Sequence, residues 1–171
     1  MNFIETKNAL FINEAISKLM QDFNDEYWLQ SDTKGEFPHK FYAKVASGGW
    51  LGITMPKKYG GSELGISEAA IMMKKIAGSG GGMTAASAIH MNIFGPQPIV
   101  VFGNSHQKSE WLPPLISGDE KCCFGVTEPS AGLDTGRIET FAKKQGYTYL
   151  INGQKVWTST AQHADKIMLL A

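Results

Sequence analysis

Leu115-Ile116-Ser117-Gly118-Asp119-Glu120-Lys121-Cys122-Cys123-Phe124-Gly125-Val126-Thr127, residues 115–127, is where the chain changes character. Up to Gly118 the apolar residues recur at helical spacing. After Asp119 they come in short runs separated by turn residues, the pattern of strands. The sequence therefore predicts an α+β fold: an all-α N-terminal helical bundle over residues 1–118, then an antiparallel β domain over residues 119–171. The last run, Lys166-Ile167-Met168-Leu169-Leu170-Ala171, is an apolar strand without a following turn or polar tail, so the β domain reads as truncated.

Upstream of the switch, Ile12, Ile16, Leu19 and Phe23 place an amphipathic helix over residues 7–23. A second helix is predicted from Pro38, a good first-turn residue, to the stop at Gly48-Gly49. The glycines and prolines of residues 50–61 forbid a continuous helix. Ser67 is the predicted cap of a helix running through Ile71, Met72 and Ile76 to Gly78. The stretch Gly78-Ser79-Gly80-Gly81-Gly82 reads as flexible, and Met83–Phe94 reads as an alanine-rich helix that can pack closely or line a slot. Short helices are expected from Pro98 and from Ser105, the latter breaking or kinking at Pro113-Pro114. Downstream, Asn152-Gly153 between two strand-like runs, 147–151 and 154–158, predicts a hairpin turn.

Composition removes several classes of function. Hydrophobic residues make up 43%, so the chain is not disordered. The 16 basic and 16 acidic residues cancel, and no basic face or tail stands out, which argues against a nucleic-acid partner. Apolar runs are far shorter than the roughly 18 residues of a membrane span. Met1–Lys7 lacks the layout of a secretory signal. The two cysteines are neighbours, Cys122 and Cys123, which suits a reducing, cytoplasmic compartment. Together with four scattered histidines they give no metal-ligand spacing, so no metal is expected.

Two segments could carry chemistry. Thr127-Glu128-Pro129-Ser130-Ala131-Gly132-Leu133-Asp134 follows a strand and holds a hydroxyl, a glycine and free backbone donors, a turn that can face an anion or a heteroatom-rich ring. Taken alone it also reads as an ordinary polar turn. Trp157-Thr158-Ser159-Thr160 sets an indole beside three hydroxyls, which suits stacking on a planar cofactor; it also reads as a half-buried strand tryptophan. The histidines, His90 among them, read as packing or surface residues. The glycine-rich stretch 78–82 lacks the Lys-Ser/Thr ending of a phosphate loop.

Taken together, Cys123-Phe124-Gly125-Val126-Thr127-Glu128-Pro129, Ala131-Gly132 and Asn152-Gly153-Gln154-Lys155-Val156-Trp157-Thr158 resemble the signature of the flavin-dependent acyl-CoA dehydrogenases. Leu51–Pro56 with Tyr59-Gly60-Gly61, and Gln107-Lys108 through Ser117-Gly118, extend the resemblance over nearly the whole chain. It implies a helical domain, a β middle domain and a second helical domain. It also implies FAD as cofactor, an acyl-CoA substrate, an electron-transfer flavoprotein as acceptor, a homo-oligomer and a place in fatty acid metabolism. The implied reaction is α,β-dehydrogenation of the thioester: a glutamate takes the α-proton and the β-hydrogen leaves as hydride to flavin N5.

Carried over by motif, Phe124, Val126 and Thr127 would lie along the flavin ring. Gly132 and Leu133 would offer backbone to the pyrophosphate and the substrate's pantetheine arm. Trp157 would cover the ring, with Thr158 beside it and the Ser159 hydroxyl near N5. Residues 84–94 would line part of the acyl slot. Leu133 stands where the family usually has serine, so its side chain is expected in apolar surroundings. Ser159 replaces a common threonine and keeps the hydroxyl. The family's catalytic glutamate comes from a region outside these residues, so no catalytic residue is assigned, and Glu128 is read as part of the turn. A same-fold flavin oxidase or monooxygenase, or a non-catalytic helical binding module, are the alternatives.

Overall fold

A computed structural model describes residues 6–171. The reading of Met1–Lys7 as no secretory signal falls mainly on residues outside the described ones. Among the described residues seven α-helices and four strands follow in order: α1 Lys7–Met20, α2 Asp25–Lys34, α3 His39–Ser47, α4 Ile66–Ile76, α5 Gly82–Phe94, α6 Gln97–Phe102, α7 Ser105–Ser117, β1 Cys122–Gly125, β2 Phe141–Gln145, β3 Thr148–Asn152 and β4 Lys166–Leu169.

Helix starts follow capping chemistry. The Thr6 hydroxyl accepts from Ala9 N at 3.1 Å, and Asn24 Oδ1 accepts from Tyr27 N at 3.0 Å. Asn104, not Ser105, caps α7, in a reciprocal pair with Gln107 at 2.9 Å each way. Gly65 precedes α4, its N–H donating to Glu68 at 3.1 Å, so the helix begins before the predicted Ser67 cap. Helix α2 was not predicted: it buries only Trp28 and Ser31, too few apolar positions to set up a period.

Two places in the helical part take a definite form for identifiable reasons. Residues 77–81 form a π turn interrupted at Ser79 and Gly80, and Gly81 serves close approach: a Cβ there would stand 2.8 Å from the Trp28 ring and 2.5 Å from the Ala85 Cβ. Helix α7 runs on through Pro113 and Pro114 to Ser117. The carbonyls that lose a donor belong to Ser109 and Glu110, both exposed, where water can replace it.

The principal core packs Ile12, Ile16, Phe41, Val45, Leu51, Met72, Ile76 and Ile89, all fully buried. A second cluster joins Met55, Ile99, Leu112, Leu115 and Ile116 to Cys122 at the start of β1. This second cluster fixes the first strand against α6 and α7, and so positions everything that follows it.

The β segment holds one antiparallel pair and one parallel pair. β2 and β3 form a hairpin in the register Phe141↔Asn152 to Gln145↔Thr148. β1 and β4 pair in parallel, Cys122↔Lys166 to Gly125↔Leu169, with the hairpin inside their crossover connection. The hairpin turn is Gly146-Tyr147, with Gly146 at φ 61°, the positive angle a type II′ turn demands of its first central residue. The predicted turn at Asn152-Gly153 is therefore not one: Asn152 ends β3, and residues 154–158 pair with no strand. Gly153 is there because a Cβ would stand 2.6 Å from Thr140 Cα.

Candidate functional site

The two motif segments, about thirty residues apart in sequence, lie side by side. Val156 N donates to Thr127 O at 2.9 Å. Lys155 Nζ donates to Val126 O at 2.9 Å and to Glu128 Oε1 at 2.8 Å. Glu128 is anchored from its other side: Oε2 accepts from Glu139 N at 2.6 Å and Oε1 from Thr140 N at 2.9 Å. Its backbone closes a tight turn with Ala131, which sends Gly132 and Leu133 outward.

The Lys155 ammonium first, then the donors of Thr140 and Glu139, hold the Glu128 carboxyl down at about 2. Such a carboxylate has no affinity for a proton near neutral pH and no free oxygen to offer one. Its side chain ties the turn to residues 139–140 and to Lys155. Folding lowers this group from 4.5, so its contribution to stability is full above 4.5 and is lost as pH falls through about 2. The difference in melting temperature between wild type and Glu128→Gln should stay level from neutral pH to about 5 and shrink below that. Thermal melts across this range check it; a difference that persists unchanged at the acid end contradicts it.

Trp157 follows Val156 directly. Its indole is 88% exposed and its backbone is left-handed, φ 58°. A bulky residue in that region costs on the order of 1–3 kcal/mol and persists where surrounding structure imposes it. It is not the half-buried strand residue of the alternative reading. Leu133 is fully exposed as well, so the apolar surroundings expected for its side chain are not there; just past the Glu128–Ala131 turn it stands in solvent. Phe124 is half-buried and meets the Phe94 ring edge-on at 5.2 Å, and Phe94 in turn stacks on His90 at 4.6 Å. Burial pushes the His90 imidazole toward its neutral form. The aromatic series His90–Phe94–Phe124 thus connects α5 to the strand bearing the first motif.

Two family models match, in sequence order: "Acyl-CoA dehydrogenase, N-terminal domain" over residues 6–119 and "Acyl-CoA dehydrogenase, middle domain" over residues 123–171. The chain belongs to the acyl-CoA dehydrogenase family. Among curated relatives, acyl-CoA dehydrogenase FadE12 of Mycobacterium tuberculosis is 30% identical over 99% of this chain and 43% of its own length. The chain thus spans less than half the length of that relative. Among solved structures, an acyl-CoA dehydrogenase from Geobacillus kaustophilus shares 27% identity with a TM-score of 0.84, covering 98% of this chain and 43% of that one. An FAD complex of PigA shares the fold, with a TM-score of 0.89 at 23% identity over 99% of this chain and 44% of that one.

The donor set of this acyl-CoA dehydrogenase segment fits a flavin dinucleotide. Among the described residues, the hydroxyls of Thr127, Thr158 and Ser159 and the backbone N–H groups of Gly132 and Leu133 make no hydrogen bond. Gly132 has open space where a Cβ would lie. Hydroxyls beside an exposed indole suit a ring with a polar edge, and unengaged amides at an open glycine suit a phosphate. The structure brings Val126 and Thr127 together with Trp157–Ser159. No hydrogen bond joins the Gly132–Leu133 turn to Trp157–Ser159 among the described residues.

Sequence reasoning missed Asn92. It is buried on α5, and its Nδ2 lies within hydrogen-bond reach of Tyr42 Oη at 2.9 Å, Glu120 O at 3.0 Å and Leu115 O at 3.1 Å. Its Oδ1 accepts from Cys122 N at 2.8 Å. One amide therefore ties α3, α5 and the end of α7 to the first residue of β1. The available signal was a lone polar residue among Ala88, Ile89 and Ile93 on the buried face of a helix.

Proposed function

We propose that this chain is the N-terminal portion of an FAD-dependent acyl-CoA dehydrogenase that carries out α,β-dehydrogenation of an acyl-CoA thioester. Residues 1–118 would form its helical domain and residues 119–171 the start of its β middle domain. The observation that carries the reading is the bond from Val156 N to Thr127 O, which sets an exposed, conformationally strained Trp157 beside a row of unengaged hydroxyls. FAD, when bound, supplies the acceptor for the substrate's β-hydrogen.

This chain's own residues bind and orient. The Thr127, Thr158 and Ser159 hydroxyls would bond the polar edge of the ring. Trp157 would shield the ring from water, with Phe124 and Val126 as further apolar contacts. The amides of Gly132 and Leu133 would hold the pyrophosphate, and the Leu133 backbone would contact the pantetheine arm. The family resemblance gives the α-proton to a glutamate outside these residues, and the three donors on the Glu128 carboxylate suit a turn residue rather than a base. An electron-transfer flavoprotein as acceptor, assembly into a homo-oligomer and a cytoplasmic location complete the proposal. The two free cysteines suit that location. Among the described residues no helix is long and apolar enough to cross a membrane.

The test is the visible spectrum of the full-length protein as purified: a bound oxidised flavin supports the proposal, and a colourless protein that takes up no added FAD favours the non-catalytic module. Trp157→Ala should then lower FAD retention about fivefold, the equivalent of one aromatic contact of about 1 kcal/mol. Flavin occupancy after dialysis measures this, and unchanged occupancy removes the stacking role.

A further inference from the structure

The segment that carries Trp157 has few attachments. Among the described residues, Gln154–Ser159 is hydrogen-bonded to the first motif only through Val156 N and the Lys155 ammonium. Two of the next few residues' backbones are left-handed, Trp157 at φ 58° and Thr160 at φ 69°. Left to itself, a chain with a bulky aromatic at positive φ relaxes to the ordinary region. Something must hold it.

The Lys155 and Glu128 side chains are only 7% and 3% exposed. A buried ion pair contributes little net stability, because desolvating both charges offsets their attraction; an apolar pair of similar volume would serve a core as well. What the charged pair provides here is geometry. Lys155 reaches Val126 O and Glu128 at once, and Glu128 is held by Glu139 N and Thr140 N. Three separate stretches, 126–128, 139–140 and 155–156, are thereby fixed relative to one another. An apolar pair could fill the space but could not fix this register.

We infer that the Lys155–Glu128 ion pair is a positioning latch that sets Trp157 and the Thr127 hydroxyl against the flavin. The inference rests on the flavin-binding reading above, and neither residue touches the reacting atoms. The latch acts through Val156–Trp157 on one side and Val126–Thr127 on the other.

The experiment uses the full-length protein in which tryptophan is replaced by 5-fluorotryptophan, with the Trp157 resonance assigned by Trp157→Phe. The double variant Lys155→Met, Glu128→Gln removes both charges while keeping one acceptor for the Glu139 and Thr140 amides. It should fold, lose the wild-type Trp157 fluorine shift, and bind FAD about fivefold to tenfold more weakly, with stronger fluorescence from the bound flavin as the indole moves away. Lys143→Met, on exposed β2, should change none of these. If the double variant does not fold, Lys155→Arg keeps the charge but displaces its head. It should shift the Trp157 resonance in a folded protein. A wild-type protein that binds no FAD defeats the flavin reading but leaves the fluorine shift to decide the latch. A Trp157 resonance, FAD affinity and flavin fluorescence all unchanged in the folded variants overturn the latch itself.

Discussion

Incubated with FAD, an acyl-CoA and an artificial electron acceptor, residues 1–171 alone should reduce the dye at least about 10²-fold more slowly than the full-length protein. Loss of a positioned general base removes roughly 10²–10⁴-fold from a proton-abstraction step. The carboxylate that joins the two motifs is not free to act: Glu128 accepts from Lys155, Glu139 N and Thr140 N and is held at about 2. His90 is half-buried and stacked on Phe94, on α5 rather than in either motif. The binding surface is open as well. Trp157 and Leu133 are exposed, and so is every residue of the β2–β3 hairpin, including Phe141, Tyr149 and Ile151. An open cleft leaves a flavin face in water, whereas a working site buries most of its ligand. Dye reduction within tenfold of the full-length protein would place the base inside these residues and overturn the site assignment.

The second large effect concerns folding. Asn92→Ala should destabilise the protein by about 3 kcal/mol, because it strands the buried Cys122 N–H and removes a donor from the Leu115 and Glu120 carbonyls. For a chain of this size that corresponds to a fall of roughly 6–12 °C in melting temperature. The Tyr42 hydroxyl, which burial and then the Asp165 carboxylate keep protonated, reaches Glu120 O only at a long 3.5 Å, and among the described residues it makes no hydrogen bond with Cys122 N. Thermal melts of the variant decide the matter; a melting temperature within two degrees or so of wild type would mean that the joint between α5 and β1 is held by apolar packing alone.

Much of the helical part was legible because its signals are local. The Ile12, Ile16, Leu19 stripe, the proline before α3 and the αL glycine after α7 each act over a few residues, so sequence spacing alone exposes them. What was illegible depends on partners distant in sequence. Whether Asn152-Gly153 is a turn or a strand end depends on Thr140, which stands where a Cβ would go. Whether β1 pairs parallel or antiparallel depends on β4, some forty residues on. Helix α2 escaped because its stability comes from Trp28 packing among Phe23, Tyr27 and Phe41 rather than from a repeating apolar face.

The site divides in the same way. Motif order singled out Val126, Thr127 and Trp157 as candidates, and the adjacency of their segments through Val156 N is a matter of chain geometry. The Leu133 side chain was misjudged because the substitution was weighed as a buried one, whereas the turn holds it in solvent. Lys155 and Glu128 were each present in the motifs, but nothing in their spacing of about thirty residues says that the two charges meet out of water. The Asn92 joint is likewise assembled from four separate segments.

The most direct test of the account is an anaerobic titration of the full-length, FAD-loaded protein with saturated acyl-CoA thioesters of several chain lengths. The account predicts that one of them bleaches the oxidised flavin band in proportion to the thioester added, with formation of the α,β-unsaturated product. A flavin-loaded protein whose spectrum is unchanged by every thioester, and reduced instead by a substrate of another class, would contradict it.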